Sequence, residues 1–190
     1  MLKLAKRADE QKMSIMLDFH YSDFWTDPKK QYLPKAWQNL SFEKVCEALY
    51  KFTKESLLKF KDENIYPTHV QVGNEITNGM CWPYGALYKN DVLIKENFKS
   101  LSILLKNGIK AVKEVFPNCK TILHLERSGD NIIYHTWLSN ILKYDVDFDI
   151  LGVSYYPSWH GPVDKVKENI LDIQKTYKKE IMLVEFSFPW

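Results

Sequence analysis

Short apolar runs alternate along this chain with longer segments whose apolar residues recur every three or four positions. The short runs are rich in leucine and β-branched residues, which is typical of strands buried on both faces of a sheet. The longer segments have the periodicity of amphipathic helices. The alternation predicts an α/β fold in which parallel strands are joined by helical crossovers. The predicted strands span residues 14–19, 69–73, 121–125, 150–154 and 181–184.

Three of the longer segments carry clear helix signals. Ser41 precedes an apolar-periodic segment at residues 42–52, and serine is a favoured N-cap residue. Residues 101–115 keep the same periodicity, and residues 163–177 follow Pro162, a residue type suited to the first turn of a helix. The order of elements therefore predicts helices between successive parallel strands.

Parallel strands with helical crossovers form either an open doubly wound sheet or a closed barrel. An open nucleotide-binding sheet would require a glycine-rich turn after an early strand, and no such motif occurs in the sequence. Most tryptophans instead follow the carboxyl end of a predicted strand, which is the end where barrel active sites lie. These distributions favour a (β/α)8 TIM barrel, and the tryptophans concerned are Trp25, Trp37, Trp82, Trp159 and Trp190.

Composition excludes several classes of partner. Lys and Arg number 26 and Asp and Glu 24, and these charges are interspersed, so no nucleic-acid partner is expected. No apolar run approaches the roughly 18 residues that a membrane span needs. Cys46, Cys81 and Cys119 lack the spacing of metal ligands, and we expect neither a metal nor a cofactor.

Two glutamates end apolar strands at separate places in the chain. Glu75 closes the segment Gln71–Glu75, and Glu185 follows the predicted strand 181–184. A single glutamate at a strand end is most often a solvated loop residue. Two of them facing one glycosidic bond would supply what glycoside hydrolysis needs, a proton donor and a second carboxylate. The spacing between the carboxyl groups decides retention or inversion, and the sequence does not contain it.

Three longer motifs carry a specific resemblance. Residues 17–28 read LDFHYSDFWTDP, residues 70–75 read VQVGNE, and residues 153–161 read VSYYPSWHG. In this order they resemble glycoside hydrolase family 53, the arabinogalactan endo-β-1,4-galactanases, and the likeness runs nearly from end to end. The resemblance implies a retaining enzyme that hydrolyses β-1,4-galactan, including type I arabinogalactan, outside the cell.

The resemblance also implies roles for individual residues. Glu75 would be the acid/base and Glu185 the nucleophile, with Asn74 binding a sugar hydroxyl. His20 and Asp23 would lie near the reacting sugar. Ring faces suit the C–H face of a pyranose, so two tryptophans would act as stacking platforms. The remaining candidates for substrate binding are Ser154, Tyr155, Tyr156, Trp82 and Trp159.

The predicted barrel is partial. A barrel of this type has eight strands, and the five predicted here correspond by resemblance to the third through the seventh. We therefore expect one catalytic domain over residues 1–190 that is truncated at both ends, and little or no hydrolysis by these residues alone. Residues 1–7 do not have the pattern of a signal peptide.

Three other interpretations stay open at the level of sequence. One is a retaining barrel glycosidase that acts on mannan or cellulose, and another is a degenerate module that binds galactan without catalysis. The third is a barrel metallohydrolase, because His20 and His124 both end predicted strands. This third interpretation lacks a His-x-His pair.

Overall fold

The computed structural model describes residues 1–188, and its centre is a five-stranded parallel sheet. Every neighbouring pair of strands in this sheet is parallel. Trp190, one of the tryptophans placed after a predicted strand, lies outside the described residues. The strands are β1 (Met16–Phe19), β2 (His69–Val72), β3 (Lys120–Leu125), β4 (Ile150–Tyr155) and β5 (Glu180–Phe186).

Within residues 1–188, six α-helices accompany the sheet. The N-cap of α2 is Ser41, whose side chain accepts a hydrogen bond from the backbone N–H of Lys44, and the Asp130 side chain caps α4 in the same way. The helices are α1 (Leu2–Glu10), α2 (Phe42–Asp62), α3 (Asn97–Val115), α4 (Asn131–Leu142), α5 (Pro157–His160) and α6 (Val163–Tyr177).

The order of strands in the sheet is the order of strands in the chain, from β1 to β5. A doubly wound sheet reverses direction at a switch point, whereas a barrel adds each strand beside the preceding one. The sheet therefore has the topology of a barrel segment, and the prediction of an α/β fold built from part of a TIM barrel is confirmed. Within the described residues, β1 and β5 are the edges of this sheet.

The core lies between the sheet and the helices on its outer face. Leu49 of α2 and Leu101 and Leu105 of α3 are fully buried, as the predicted helical periodicity requires, and Leu57 is buried on the part of α2 beyond the predicted segment. Trp137 of α4 is also buried, and its indole N–H donates to the carbonyl of Ile76 at 3.2 Å. This layer fixes the outer face of the strands and leaves their carboxyl ends for the site. Among the described residues, no helix is both long and apolar enough to cross a membrane.

The segment between β2 and α3 contains structure that the sequence pattern does not predict. Two short antiparallel ladders pair residues 79–80 with 85–86 and residues 88–89 with 92–93. Gly79 has a φ of 84°, and a Cβ there would lie 1.8 Å from the carbonyl oxygen of Gly85. Only glycine fits at this position, so the fold of the loop depends on it.

Candidate active site

Glu75 stands just beyond β2 on an unusual backbone. Gly73 has a φ of 89° and Glu75 a φ of 48°, which is the left-handed region that a non-glycine residue seldom adopts. The backbone N–H of Glu75 donates to Nδ1 of His124 at 3.3 Å. The turn therefore aims the carboxyl group of Glu75 across the carboxyl ends of the neighbouring strands.

Glu185 reaches the same place from the other side of the sheet. It lies on β5, and a register irregularity between Val153 and Ser154 makes Ser154 the partner of Glu185. One carboxylate oxygen of Glu75, one of Glu185 and one ring nitrogen of His124 all lie within 4.8 Å of one another. Two glutamates more than 100 positions apart in the sequence thus meet at one point.

Both glutamates line a cleft of about 440 Å³ at the carboxyl ends of the strands. The floor is polar, because aspartate, histidine and asparagine side chains lie beside the two carboxyl groups. Trp25 forms part of the wall and is 87% exposed, so its ring is available to a ligand. The lining residues are Asp18, His20, Trp25, Thr26, Asp27, Asn74, Glu75, Val184 and Glu185.

The two carboxyl groups have different surroundings. Burial raises the pKa of Glu75 to about 7, and the negative charges of Glu185, Glu126 and Asp27 add to this increase, while the Ser154 hydroxyl opposes it. The hydroxyl of Tyr156 donates a hydrogen bond to Oε1 of Glu185. Glu75 can hold a proton near neutral pH, whereas Glu185 accepts a hydrogen bond suited to a carboxylate.

His20 lies on the cleft floor with both ring nitrogens engaged. Its Nδ1 accepts from the backbone N–H of Thr26 at 3.0 Å, and its Nε2 lies 3.0 Å from Oδ2 of Asp18. The hydrogen bond to Asp18 raises the pKa of His20, with smaller contributions from the charges of Glu185 and Glu75, although burial opposes the increase. Because Nδ1 accepts from Thr26, the proton of the neutral ring lies on Nε2, where it faces Asp18 on the cleft floor.

A buried polar network lies behind Glu75. His124 and Ser154 are fully buried, and Nε2 of His124 lies 2.7 Å from Oγ of Ser154. Asn74 is also buried, and its Nδ2 donates to the carbonyl of Thr26 at 2.9 Å. In this structure Asn74 and Ser154 contact protein groups and support Glu75 from behind.

The structure places the other predicted residues outside the cleft lining. Asp23 is exposed, accepts from the backbone N–H of Lys35 at 2.7 Å, and lines a neighbouring apolar groove. Tyr155 points to the helical side, where its hydroxyl donates to the carbonyl of Gly161 at 3.3 Å. Trp82 packs edge-on against Tyr32.

Trp159 lies in α5 and is 84% exposed. It belongs to the loop after β4, the same connection that carries Tyr156, and it does not line the cleft shared by the glutamates.

Several residues of the site do not stand out in the sequence pattern. Asp18 lines the cleft without having been singled out, and Trp25 had been placed only among the tryptophans that follow a predicted strand. His124 joins the network as a hydrogen-bonding residue. One usable signal was present, since Asp18 and His124 are polar residues inside otherwise apolar strands. A buried polar side chain requires a partner, so its presence in such a run indicates a network.

Glu75, Glu185 and His124 offer three atoms that are close enough together to bind one metal ion. Both ring nitrogens of His124 are already engaged, Nε2 by Ser154 and Nδ1 by Gln71, Asn74 and the backbone of Glu75. Metal binding would require breaking this buried network. The residues therefore fit a hydrogen-bonded carboxyl pair better than a metal centre.

A barrel-type parallel sheet with two carboxyl groups in one cleft, one of them able to hold a proton near pH 7, defines the class of barrel glycoside hydrolases. The family model described as glycosyl hydrolase family 53 matches residues 1–190. The chain belongs to glycosyl hydrolase family 53.

Individual relatives agree with this family. An uncharacterized protein of Niallia circulans is 41% identical over 187 residues, which cover 98% of this chain and 51% of the relative. The endo-β-1,4-galactanase of Bacillus subtilis is 35% identical over 189 residues, covering 100% of this chain and 41% of the relative. A solved structure, the Ignisphaera aggregans GH53 catalytic domain, superposes with a TM-score of 0.92 at 36% identity. The superposition covers 100% of this chain and 50% of the solved one. This chain thus spans about half the length of the proteins it matches.

Proposed function

We propose that this site performs retaining hydrolysis of β-1,4-galactosidic bonds, with Glu75 as acid/base and Glu185 as nucleophile. The observation that carries the proposal is the approach of the two carboxyl groups, each of which has an oxygen within 4.8 Å of the other. Retaining glycosidases separate these groups by about 5–5.5 Å, and inverting enzymes by about 6.5–9.5 Å to admit a water molecule. The short separation supports direct attack by one carboxylate.

In the first step Glu75 donates its proton to the glycosidic oxygen as Glu185 attacks the anomeric carbon. The bond to the leaving sugar breaks, and a galactosyl ester forms on Glu185. Burial and the surrounding negative charges keep Glu75 protonated up to about pH 7, which suits this role. The Tyr156 hydroxyl holds Glu185 in place before the attack.

In the second step a water molecule attacks the anomeric carbon and the ester bond to Glu185 breaks. Glu75, now ionised, accepts a proton from that water and returns to its starting state. A single residue must therefore be an acid and then a base, which is most efficient when its pKa lies near the working pH. Glu75 meets this condition, with a pKa of about 7.

The substrate assignment rests on the family and its relatives. A relative that aligns with the whole of this chain over 41% of its own length carries the name endo-β-1,4-galactanase. The polar floor around His20 and Asp18 suits sugar hydroxyls, and the exposed ring of Trp25 suits a pyranose face. We assign (arabino)galactan as the polymer, and a substrate of this size places the reaction outside the cell.

The test is hydrolysis of linear β-1,4-galactan by the 190-residue chain, with mannan and cellulose in parallel. Reducing ends would be measured, and NMR would identify which anomer of the product appears first. Because these residues alone are expected to hydrolyse little, the expected result is a low release of reducing ends from galactan alone, with the β-anomer first. This release should be lost in Glu75→Gln and Glu185→Gln. Cleavage of mannan or cellulose in preference to galactan would reject the substrate, and the α-anomer first would reject retention.

A second candidate is binding of galactan without hydrolysis. The observation behind it is that Glu185 lies on β5, an edge of the sheet in the described residues. An edge strand has neighbours on one side only, so the position of Glu185 is held less firmly than that of Glu75. Calorimetric binding of galactotetraose with no release of reducing ends would favour this candidate, and absence of both binding and hydrolysis would reject both functions.

A further inference from the structure

A buried chain of hydrogen bonds ends on the carboxyl group of Glu75. Nε2 of His124 lies 2.7 Å from Oγ of Ser154, and the same Oγ lies 2.9 Å from Oε1 of Glu75. Neither His124 nor Ser154 exposes any surface to solvent. The two residues therefore act on Glu75 from the protein side and leave its other face to the cleft.

Nδ1, on the other side of the His124 ring, lies near one acceptor and two donors. Nδ1 lies 2.9 Å from Oδ1 of Asn74, 3.1 Å from Nε2 of Gln71 and 3.3 Å from the backbone nitrogen of Glu75. The Asn74 amide is oriented by its own hydrogen bond to the carbonyl of Thr26. Nδ1 can therefore donate to Asn74, or it can accept from Gln71 and the Glu75 backbone.

A neutral imidazole has one donor nitrogen and one acceptor nitrogen, so each tautomer sets the direction of the whole chain. With the proton on Nδ1, Nε2 accepts from the Ser154 hydroxyl, and Oγ is then free to accept from a protonated Glu75. With the proton on Nε2, the ring donates to Oγ, and the Ser154 hydroxyl donates to an ionised Glu75. Each form of Glu75 thus has a hydrogen bond with Ser154 that matches one tautomer of His124.

We propose that the tautomer of His124 is linked through Ser154 to the presence of the proton on Glu75. His124 and Ser154 are then positioning residues, which act through Glu75 and do not touch the sugar. On ionisation the Glu75 carboxyl group loses one proton, to water in the free protein. The proton of the His124 ring is then on Nε2 instead of Nδ1, and the ring is neutral both before and after. The inference rests on the acid/base role proposed for Glu75, which requires both of its forms during one turnover.

The charges around the network are compatible with this linkage. Burial and, to a smaller extent, the charge of His20 together lower the pKa of His124 to about 3, so the ring is neutral when Glu75 titrates at about 7. The other ionisable groups coupled to Glu75 are Glu185, Glu126, Asp27, His20, Tyr156 and Tyr134. Because the pKa of His20 is raised as well, the experiment needs a variant in which Glu75 alone is removed.

Nuclear magnetic resonance of the 190-residue chain, with ¹⁵N-labelled histidine and ¹³C-labelled glutamate, tests the proposal. The ring ¹⁵N shifts report which nitrogen of His124 carries the proton, and the carboxyl ¹³C shift reports ionisation of Glu75. As the pH rises, the protonated nitrogen is expected to change from Nδ1 to Nε2 with the same midpoint as the Glu75 carboxyl group. One unchanged tautomer on both sides of that midpoint would overturn the proposal.

Two variants separate the linkage from other titrations. In Glu75→Gln the tautomer of His124 is expected to be independent of pH, and a persistent change would assign the effect to His20 or another group and reject the inference. In Ser154→Ala the tautomer should no longer follow Glu75, and continued coupling would exclude Ser154. Should Ser154→Ala not fold, the Glu75→Gln comparison decides.

These measurements require no turnover, so the two proposals fail in different ways. Hydrolysis of galactan combined with a fixed tautomer would leave the proposed function intact and reject the linkage. A coupled tautomer in a chain that does not hydrolyse galactan would support the linkage and count against the proposed function.

Discussion

The hydroxyl of Tyr156, at the end of β4, donates a hydrogen bond to Oε1 of Glu185 on β5. This contact joins the two last strands of the sheet at the point where the cleft opens. It holds the carboxylate that we propose as the nucleophile in a single orientation, and it connects a loop residue with an edge strand.

Removal of this hydroxyl should slow the attack by Glu185. A hydrogen bond to a charged group contributes about 1.5–3 kcal/mol, so Tyr156→Phe is expected to reduce the rate of glycosyl-enzyme formation by about 10- to 150-fold. Mass spectrometry with an activated 2-deoxy-2-fluoro galactoside would measure this rate. Tyr155→Phe is the matched control, because the Tyr155 hydroxyl donates to Gly161 away from the cleft. Equal rates for the two variants would contradict the prediction.

The raised pKa of Glu75 predicts how stability depends on pH. The pKa is about 7 in the folded protein against 4.5 as the ordinary value, so the folded state binds this proton more tightly. The contribution of Glu75 to stability is therefore fully present below about pH 4.5 and is lost as the pH rises through 7. Glu75→Gln removes that loss, and its free energy of unfolding relative to wild type should increase between pH 4.5 and 8 in urea titrations.

Glu114→Gln is the control for this experiment, because its stability relative to wild type should change with pH in the opposite direction. Hydrogen bonds from Lys54 and Tyr50 lower the pKa of Glu114, so its contribution to stability is present above the ordinary pKa and is lost in acid. This variant should lose stability relative to wild type as the pH rises from acid to neutral. The same pH trend in both variants would show that Glu75 is not held with a raised pKa.

The loop after β2 depends on Gly79. Gly79→Ala would place a methyl group against the carbonyl of Gly85 at a backbone with φ of 84°, so we expect a loss of roughly 2–4 kcal/mol in the free energy of unfolding. Gly161→Ala is the matched control, since Gly161 has a φ of 81° and nothing within 4 Å of the added carbon. It should cost only about 1 kcal/mol, the strain of the left-handed region. Equal melting temperatures for the two variants would reject the close contact at Gly79.

Trp25 forms the aromatic wall of the cleft. Because its ring is exposed, replacing it should change ligand binding without changing the stability of the fold. Trp25→Ala should weaken binding of galactotetraose by roughly 3- to 10-fold, because an aromatic contact contributes about 0.5–1.5 kcal/mol beyond area burial. Its melting temperature should stay at the wild-type value, since the ring is 87% exposed. Isothermal calorimetry would measure the affinity. Ile132→Ala, at a 78% exposed position on α4, is the control that should leave binding unchanged.

The elements of the fold could be predicted from local pattern. The predicted strand at residues 121–125 corresponds to Lys120–Leu125, and that at residues 150–154 corresponds to Ile150–Tyr155. The helix after Ser41 begins at Phe42, as its cap indicates. The short ladders after β2 could not be predicted, because two-residue strands leave no periodicity to detect.

The strand–helix alternation, the family resemblance and the positions of Glu75 and Glu185 at strand ends could all be read from the chain, because apolar periodicity and motifs are local patterns. Which side chains meet depends on how the strands are arranged in space. The Ser154–Glu185 pairing depends on a register irregularity in β4 and β5, and the link from His124 through Ser154 to Glu75 joins three separate strands or strand ends. Contacts across strands depend on register and backbone direction, which no local pattern in the sequence contains.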